Sequence, residues 1–180
     1  MKKVLLLPGW MTSVKLYRNN IGEFDMRVGK LSKEDLSAEY IIGVSLGALV
    51  VLRDIKDITG KVILINPPIP RRNIFAWLIR WLRYVKIEGL FLERQRFTTN
   101  PAKFILELLN CIKLLGIDFS ATLDHIWKEK IIVIRGKDDI FFCDNESVKF
   151  LRSKNINVLE FDGGHNLSEK MEETLNNLII

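Results

Sequence analysis

Residues 41–51 read IIGVSLGALVV, an apolar run in which one hydroxyl side chain, Ser45, lies between Gly43 and Gly47. Such a run predicts a buried strand that passes directly into a helix, with small residues where the two backbones approach closely. It also matches the pattern G-x-S-x-G, in which a serine on a tight strand-to-helix turn presents its hydroxyl above a sheet. Chance would supply this pattern in roughly one chain of this length in twenty, so the rest of the sequence must decide between the two interpretations.

Five short apolar runs predict strands, and most are continuous, as in parallel strands that are covered on both faces. They are VLLL (4–7), YIIGV (40–44), KVILI (61–65), KIIVI (130–134) and NVLEF (157–161). Helical patterns occupy residues 46–58, 145–154 and 167–179. This alternation predicts an α/β fold built on a parallel sheet. Residues 12–40 add only a weaker strand candidate, EFDMRVGKL, at 23–31.

The bulk composition fits one ordinary globular domain, with 180 residues of which 48% are hydrophobic and 27% charged. No apolar run is long enough to span a bilayer. Pro8 and Gly9 interrupt the first apolar run too early for a secretory signal, so we expect a cytoplasmic protein. Cys111 and Cys143 have no neighbours at metal-ligand spacing, and the sequence predicts neither a metal site nor a disulfide.

Three chemically useful side chains follow predicted strands, in the chain order Ser45, Asp139 and His165. In an open parallel sheet, functional groups gather at the carboxyl ends of the strands. A serine needs a base within hydrogen-bond reach to become a nucleophile, and a carboxylate fixes the tautomer of that base. The other histidine, His125, precedes the strand that leads to Asp139. Asp138 and Asp144 compete with Asp139 as the carboxylate, and Asn66 is interpreted as a turn former.

Four segments together resemble the α/β-hydrolase superfamily. GVSLG resembles its nucleophile turn, Gly136–Asp139 its acid loop, Gly163–Asn166 its histidine loop, and Pro8–Trp10 its oxyanion turn, with Pro8 in place of the usual histidine. The resemblance implies a serine hydrolase of carboxylic esters that uses no cofactor. Its catalytic residues would be Ser45, Asp139 and His165, with Asp139 preferred because it closes the G-x-x-D pattern of Gly136–Asp139 that resembles the family's acid loop. The backbone N–H groups of Leu46 and Trp10 would form the oxyanion hole.

The chain is shorter than is usual for this family, so we expect a reduced α/β-hydrolase fold with a mostly parallel sheet of about six strands. Residues 1–67 and 129–180 would form the core, and residues 68–128, where no strand is predicted, would form a helical lid. Residues 71–103 hold eight basic and two acidic residues, a net charge of +6, whereas the whole chain carries +5.

The first lid helix, RRNIFAWLIRWLRYVK (71–86), predicts a broad apolar face with arginines on the other side. The face consists of Ile74, Trp77, Leu78, Trp81, Leu82 and Val85, and the arginines are Arg72, Arg80 and Arg83, followed by Arg94, Arg96 and Lys103. Three interpretations are open: a lid over the acyl site with solvated arginines, a dock for an acidic protein, and, ranked last, a membrane-surface helix. No motif accompanies the charge that would indicate nucleic acid.

A closer resemblance is to the biotin-pathway esterases, which pair G-W at the oxyanion turn with G-x-S-L-G at the nucleophile turn. It implies hydrolysis of the methyl ester of pimeloyl-acyl carrier protein, with the lid arginines holding the acidic carrier protein. The alternatives are a short-chain acyl esterase or thioesterase, and a non-catalytic binding module on a hydrolase scaffold.

Overall fold

The described residues of the protein form a six-stranded sheet whose five neighbouring strand pairs are all parallel. The structure is a computed structural model, and it describes residues 3–9, 22–23, 30–84, 86–87, 101–166 and 168–179. The strands are β1 (Val4–Leu7), β2 (Gly22–Glu23), β3 (Tyr40–Val44), β4 (Lys61–Ile65), β5 (Ile131–Gly136) and β6 (Asn157–Phe161). Their order across the sheet is β2-β1-β3-β4-β5-β6, which confirms the predicted parallel sheet of about six strands.

Helices follow or precede most strands. They are α1 (Lys33–Leu36), α2 (Leu46–Asp54), α3 (Ile74–Tyr84), α4 (Pro101–Leu115), α5 (Ser120–Asp124), α6 (Asn145–Ser153) and α7 (Glu169–Ile179), with a 3₁₀ turn at Lys128–Lys130. The predicted strand at 130–134 begins one residue later than expected and continues to Gly136. Of the weak candidate at 23–31, Glu23 lies in β2, and residues 24–29 lie outside the described residues. Among the described residues of 68–128 there is no strand.

The core lies on both faces of the sheet, which explains why the strands are apolar without alternation. Side chains of one strand point alternately to the two faces, so Ile41 belongs to the cluster beneath α2 whereas Ile42 belongs to the cluster beneath α7. All five residues of β3 are buried. The centre of the sheet, β3 and β4, is therefore the best-covered part of the molecule and the support for the turn that begins at Ser45.

The orientation of α3 corrects the expected lid face. Trp77 is buried and Trp81 packs against the core, but Ile74, Leu78 and Leu82, expected on the same covered face, are exposed. Nearly every position of this helix is apolar, so the sequence pattern could not distinguish its inner side from its outer side. Val85 lies outside the described residues. No helix in the described ranges is long and apolar enough to cross a bilayer.

Candidate active site

Ser45 occupies the turn between β3 and α2, at the carboxyl end of a central strand. Its backbone has φ of 51° and ψ of −120°, a conformation that is strained for a residue with a Cβ. Its N–H donates to the carbonyl of Ile65, the last residue of β4, at 2.8 Å. The turn is thus held from the neighbouring strand while the serine side chain makes no capping hydrogen bond to α2.

Both glycines of the motif are required by close backbone contacts. A Cβ on Gly43 would lie 2.6 Å from Cα of Ala48, and one on Gly47 would lie 2.3 Å from the carbonyl oxygen of Leu7. Such distances are far inside van der Waals contact, and the atoms met are backbone atoms that cannot swing away. Gly43 lets α2 start directly above β3, and Gly47 lets its first turn lie against the end of β1.

The three predicted triad side chains meet at this edge of the sheet. His165 Nε2 lies 2.9 Å from Ser45 Oγ, and His165 Nδ1 lies 2.7 Å from Asp139 Oδ2. An ionised carboxylate can only accept, so the Nδ1 proton points to Asp139, and Nε2 accepts from the serine hydroxyl. Asp139 is fully buried and His165 is 7% exposed, whereas Ser45 is half-buried. Ser45 is therefore the most accessible of the three triad residues.

Asp139 is anchored as a charged group. Its Oδ1 accepts from the N–H groups of Phe141 and Phe142, both at 3.0 Å, and its Oδ2 also accepts from the N–H of Cys143 at 3.1 Å. Burial acts to raise the pKa of Asp139 and is the largest influence on it. His165 and the backbone N–H donors outweigh that influence together, so the pKa of Asp139 is lowered from its ordinary value. The carboxylate stays ionised beside the imidazole.

The residues that the sequence offered as alternatives to Asp139 and His165 make other contacts. Asp138 is exposed, and its N–H donates to the carbonyl of Gly163 at 2.9 Å. Asp144 caps α6 through the N–H of Ser147. His125 lines a cleft of about 500 Å³ with Trp127 and the beginning of β5, at the end of that strand opposite Asp139.

Asn66 plays a part that the sequence did not reveal. Its backbone adopts a positive φ of 46°, as a turn former can, but its buried side chain also bridges two loops. Nδ2 donates to the carbonyl of His165 at 2.6 Å, and Oδ1 accepts from the N–H of Gly136 at 2.9 Å. Gly136 itself lies so close to the histidine loop that a Cβ there would be 2.1 Å from the carbonyl oxygen of Gly164. Asn66 thus fixes the acid loop and the histidine loop relative to each other.

Aromatic rings from the lid and the acid loop enclose the imidazole. The ring of Phe142 lies 4.6 Å from that of His165 and the ring of Tyr84 lies 5.3 Å from it, both edge-to-face. The Tyr84 hydroxyl donates to Asn166 Oδ1 at 2.8 Å, directly after the histidine. Trp77, a predicted lid residue, packs on Phe142 with ring centroids 6.0 Å apart. Helix α3 therefore forms a wall of the site, and Tyr84 is a contact that no motif in the sequence indicated.

Two lid arginines are partly buried and paired with Asp144, which differs from the solvated position that one of the three interpretations gave them. Asp144 accepts from Arg72 at 2.6 Å through Oδ1 and from Arg80 at 2.7 Å through Oδ2. Arg80 also donates to the carbonyl of Phe141 at 3.1 Å. Asp144 lies only five residues after the predicted acid, so its two ion pairs tie α3 and the residue Arg72 before it to the acid loop. Arg83 is exposed, and Arg94 and Arg96 lie outside the described residues.

One predicted oxyanion donor is in a suitable place. Leu46 is the first residue of α2, where backbone N–H groups have no acceptor within the helix and where the helix dipole favours negative charge. Its side chain is 2% exposed, so only its backbone can serve the site. Trp10, the other predicted donor, lies outside the described residues.

This arrangement can carry out nucleophilic chemistry. A hydroxyl that donates to an imidazole, itself held by a buried carboxylate, can lose its proton as it attacks an electrophilic carbon. In the described parts of the chain, no group of three or more His, Cys, Asp or Glu side chains is arranged to hold a metal ion.

No family model and no curated protein sequence matches this chain. Solved structures do match over nearly its full length. The enol-lactonase from Burkholderia xenovorans LB400 aligns with a TM-score of 0.64 at 13% identity, over 99% of this chain and 90% of that one. A thermophilic esterase from Thermogutta terrifontis gives 0.61 at 14% identity, over 99% and 89%. The monoacylglycerol lipase of Paleococcus ferrophilus gives 0.55 at 17% identity, over 98% and 91%. The chain has the α/β-hydrolase fold, in a reduced form.

Proposed function

We propose that this protein is a serine hydrolase that cleaves carboxylic esters through an acyl-enzyme. The observation that carries the proposal is the continuous relay from Ser45 Oγ through His165 to Asp139, with contacts of 2.9 and 2.7 Å. If Ser45 only ended the strand, neither its strained backbone nor its hydrogen bond to the imidazole of His165 would be required. The esterase, the lactonase and the lipase named above have the same fold, which is consistent with ester chemistry.

In the first half-reaction, Ser45 Oγ attacks the ester carbonyl carbon while its proton passes to His165 Nε2. The resulting oxyanion accepts a hydrogen bond from the N–H of Leu46 and, by prediction, from that of Trp10. The C–O bond to the alcohol then breaks, and His165 returns the proton to the leaving oxygen. In the second half-reaction His165 takes a proton from water, the hydroxide attacks the acyl-enzyme, and the carboxylate is released as Ser45 regains its proton.

Ser45→Ala is the direct test. We expect kcat for p-nitrophenyl butyrate to fall by about 10⁴-fold or more, because removal of a triad nucleophile leaves only binding and oxyanion stabilisation. A fluorophosphonate probe should label the unaltered protein and fail to label this variant. Ser153→Ala, at an exposed serine bonded to the carbonyl of Phe150, is the matched control and should keep full activity. Equal turnover by Ser45→Ala would refute the proposal and favour a non-catalytic binding module.

The methyl ester of pimeloyl-acyl carrier protein remains the proposed substrate, with the acidic carrier protein as the partner. The basic lid supports it, but two of the arginines on which it rested, Arg72 and Arg80, already bind Asp144. Growth of a biotin auxotroph that lacks its own esterase checks the choice. Failure to restore growth, with p-nitrophenyl butyrate still hydrolysed, would favour the alternative of a short-chain acyl esterase or thioesterase.

A further inference from the structure

The outer side of α3 is an unusual surface because it is almost wholly apolar. Five large hydrophobic side chains of this one helix are exposed, at fractions of 38% to 72%. They are Ile74, Phe75, Leu78, Ile79 and Leu82, and we call them the α3 ridge. Their spacing of one, three or four residues places them on one side of the helix. Single exposed apolar residues are ordinary, but a contiguous group of this size marks an interaction site.

The helix cannot rotate to bury the ridge, because its opposite side is fixed. Trp77 and Tyr84 are buried against the acid and histidine loops. Arg80, on the same inner side, is paired with Asp144 at 2.7 Å. Turning the ridge inward would break these contacts, so the apolar side is the side that α3 presents outward.

The charged side chains of the segment that carries the ridge all have one sign. Residues 71–87 contain five basic and no acidic side chains. Asp144 neutralises part of the charge of Arg72 and Arg80, and Glu146 also pairs with Arg72 at 3.2 Å, but Arg83 and Lys86 are exposed near the end of the ridge. An apolar surface with cations beside it complements a surface that is apolar within and anionic at its boundary.

We propose that the α3 ridge docks on an anionic lipid surface, with its side chains in the boundary between head groups and acyl chains and with Arg83 and Lys86 at the head groups. Helices that lie in such a boundary have this combination of an apolar side and flanking cations. A second copy of the chain would bring the same cations face to face. An acidic protein would be recognised mainly through cations, which would leave the five exposed apolar side chains of the ridge unexplained.

Docking would affect the proposed function by placing the active site next to the lipid surface. Tyr84, on the inner side of α3, lies edge-to-face on the ring of His165 at 5.3 Å. The lipid-facing side of the helix is thus separated from the catalytic histidine by about one helix diameter, ~10 Å. A surface bound there would present water-insoluble esters beside the site. The docking itself does not require catalysis, so it can be tested independently of the proposed function.

Vesicle flotation of the full chain tests the docking, with vesicles of phosphatidylcholine alone and with 30 mol% phosphatidylglycerol, on the order of the charge density of an anionic membrane. We expect flotation with the anionic vesicles, and at least tenfold weaker partitioning with neutral vesicles or in high salt. The double variant Phe75→Asp with Leu82→Asp should lose partitioning by at least tenfold. Arg83→Gln with Lys86→Gln should weaken binding to anionic vesicles only. Trp127→Asp is the matched control, because Trp127 is 84% exposed but lies at the opposite end of β5.

Three outcomes would overturn the proposal. The unaltered protein could fail to float, or float equally well after the ridge substitutions. It could form a dimer by light scattering that Phe75→Asp with Leu82→Asp abolishes. It could bind a purified acidic carrier protein through Arg83 and Lys86 and ignore vesicles. An unchanged circular dichroism spectrum shows that each variant is folded, and fluorophosphonate labelling reports separately on the proposed function.

Discussion

At the scale of single residues, the site depends on positions where only one residue type fits. Ser45 holds a strained backbone because its N–H is bonded to the end of β4 and α2 begins immediately after it. The strain is maintained by contacts that a different side chain at Gly43 or Gly47 would destroy. The motif was readable in the sequence because its serine and glycines lie within five consecutive residues, although the backbone that excludes a side chain at Gly47 belongs to β1.

Gly47→Ala should destabilise the protein and lower its activity together. The added methyl would lie 2.3 Å from the carbonyl oxygen of Leu7 and 2.5 Å from that of Pro8, so α2 must move away from β1. We expect a loss of about 1–3 kcal/mol in the free energy of unfolding, as for other overpacked sites. Urea unfolding followed by circular dichroism measures it.

Gly116→Ala is the control for Gly47→Ala. Gly116 is exposed after α4, and a Cβ there would lie 3.3 Å from the carbonyl oxygen of Lys113 and touch nothing closer. Its unfolding free energy should change by no more than about 0.5 kcal/mol. If both variants lost stability equally, the close approach of α2 to β1 would not be the reason that position 47 requires glycine.

Asn66 shows what sequence reasoning could not reach at this scale. The residue follows β4 in the manner of a turn former, and its positive φ agrees with that interpretation. Its bonds to His165 and Gly136 span 99 and 70 positions of the chain. No local pattern encodes contacts over such separations, so the bridging role appears only when the strands are placed side by side.

At the scale of elements, α3 joins the lid to the catalytic machinery. Its inner side holds Tyr84 against His165, and its Arg80 binds Asp144 together with Arg72, which lies just before the helix. The sequence located this helix and its basic residues. It could not assign the inner side, because an apolar helix with interspersed arginines has no unique hydrophobic face, and because Asp144 lies more than sixty residues away.

Asp144→Asn should lower kcat about 10- to 100-fold while leaving KM nearly unchanged, because small misplacements of a catalytic group have effects of this size. The change removes the charge that holds Arg72 and Arg80, and Arg80 also supports the loop at Phe141, whose N–H donates to Asp139. Steady-state kinetics with p-nitrophenyl butyrate, at a temperature where the variant is folded, separates kcat from KM.

Asp124→Asn provides the comparison for Asp144→Asn, since it removes a carboxylate paired with Lys154 at 2.7 Å far from the triad. Its kcat should match that of the unaltered protein. A similar decrease in kcat for both variants, or a rise in KM alone for Asp144→Asn, would contradict a positioning role for the Asp144 ion pairs.

At the scale of the whole molecule, the fold was predictable because its signals repeat. Each apolar run that is covered on both faces is short and continuous, and each is followed by a polar turn at the same edge of the sheet. The order Ser45, Asp139, His165 then implied that three distant segments converge. What escaped prediction was the outward apolar side of α3, since exposure depends on how the helix is oriented on the core rather than on its own composition.

Stability of the whole chain should decrease as the pH falls below about 4. Desolvation acts to raise the pKa values of Asp139 and Asp144. His165 and the backbone N–H donors at Asp139, and Arg80, Ser147 and Arg72 at Asp144, outweigh it, so both pKa values are lowered in the folded state. In the unfolded chain an aspartate titrates near 3.9, about the value of a free side chain. Each group therefore stabilises the fold above that pH, and its contribution is lost as the pH falls through the lower folded value.

Urea unfolding at pH 7, 5, 4 and 3 measures this dependence. We expect a nearly constant contribution from these two groups between pH 7 and 5 and a progressive loss below about 4. Asp144→Asn removes one of the two linked groups, so its stability should decline less between pH 5 and 3 than that of the unaltered protein. Asp162→Asn, which removes an exposed partner of Lys137, should leave the decline almost unchanged, because exposed pairs are screened by solvent. A parallel decline of the unaltered protein and Asp144→Asn would mean that the bond of Asp144 to the lid arginines does not stabilise the folded charge.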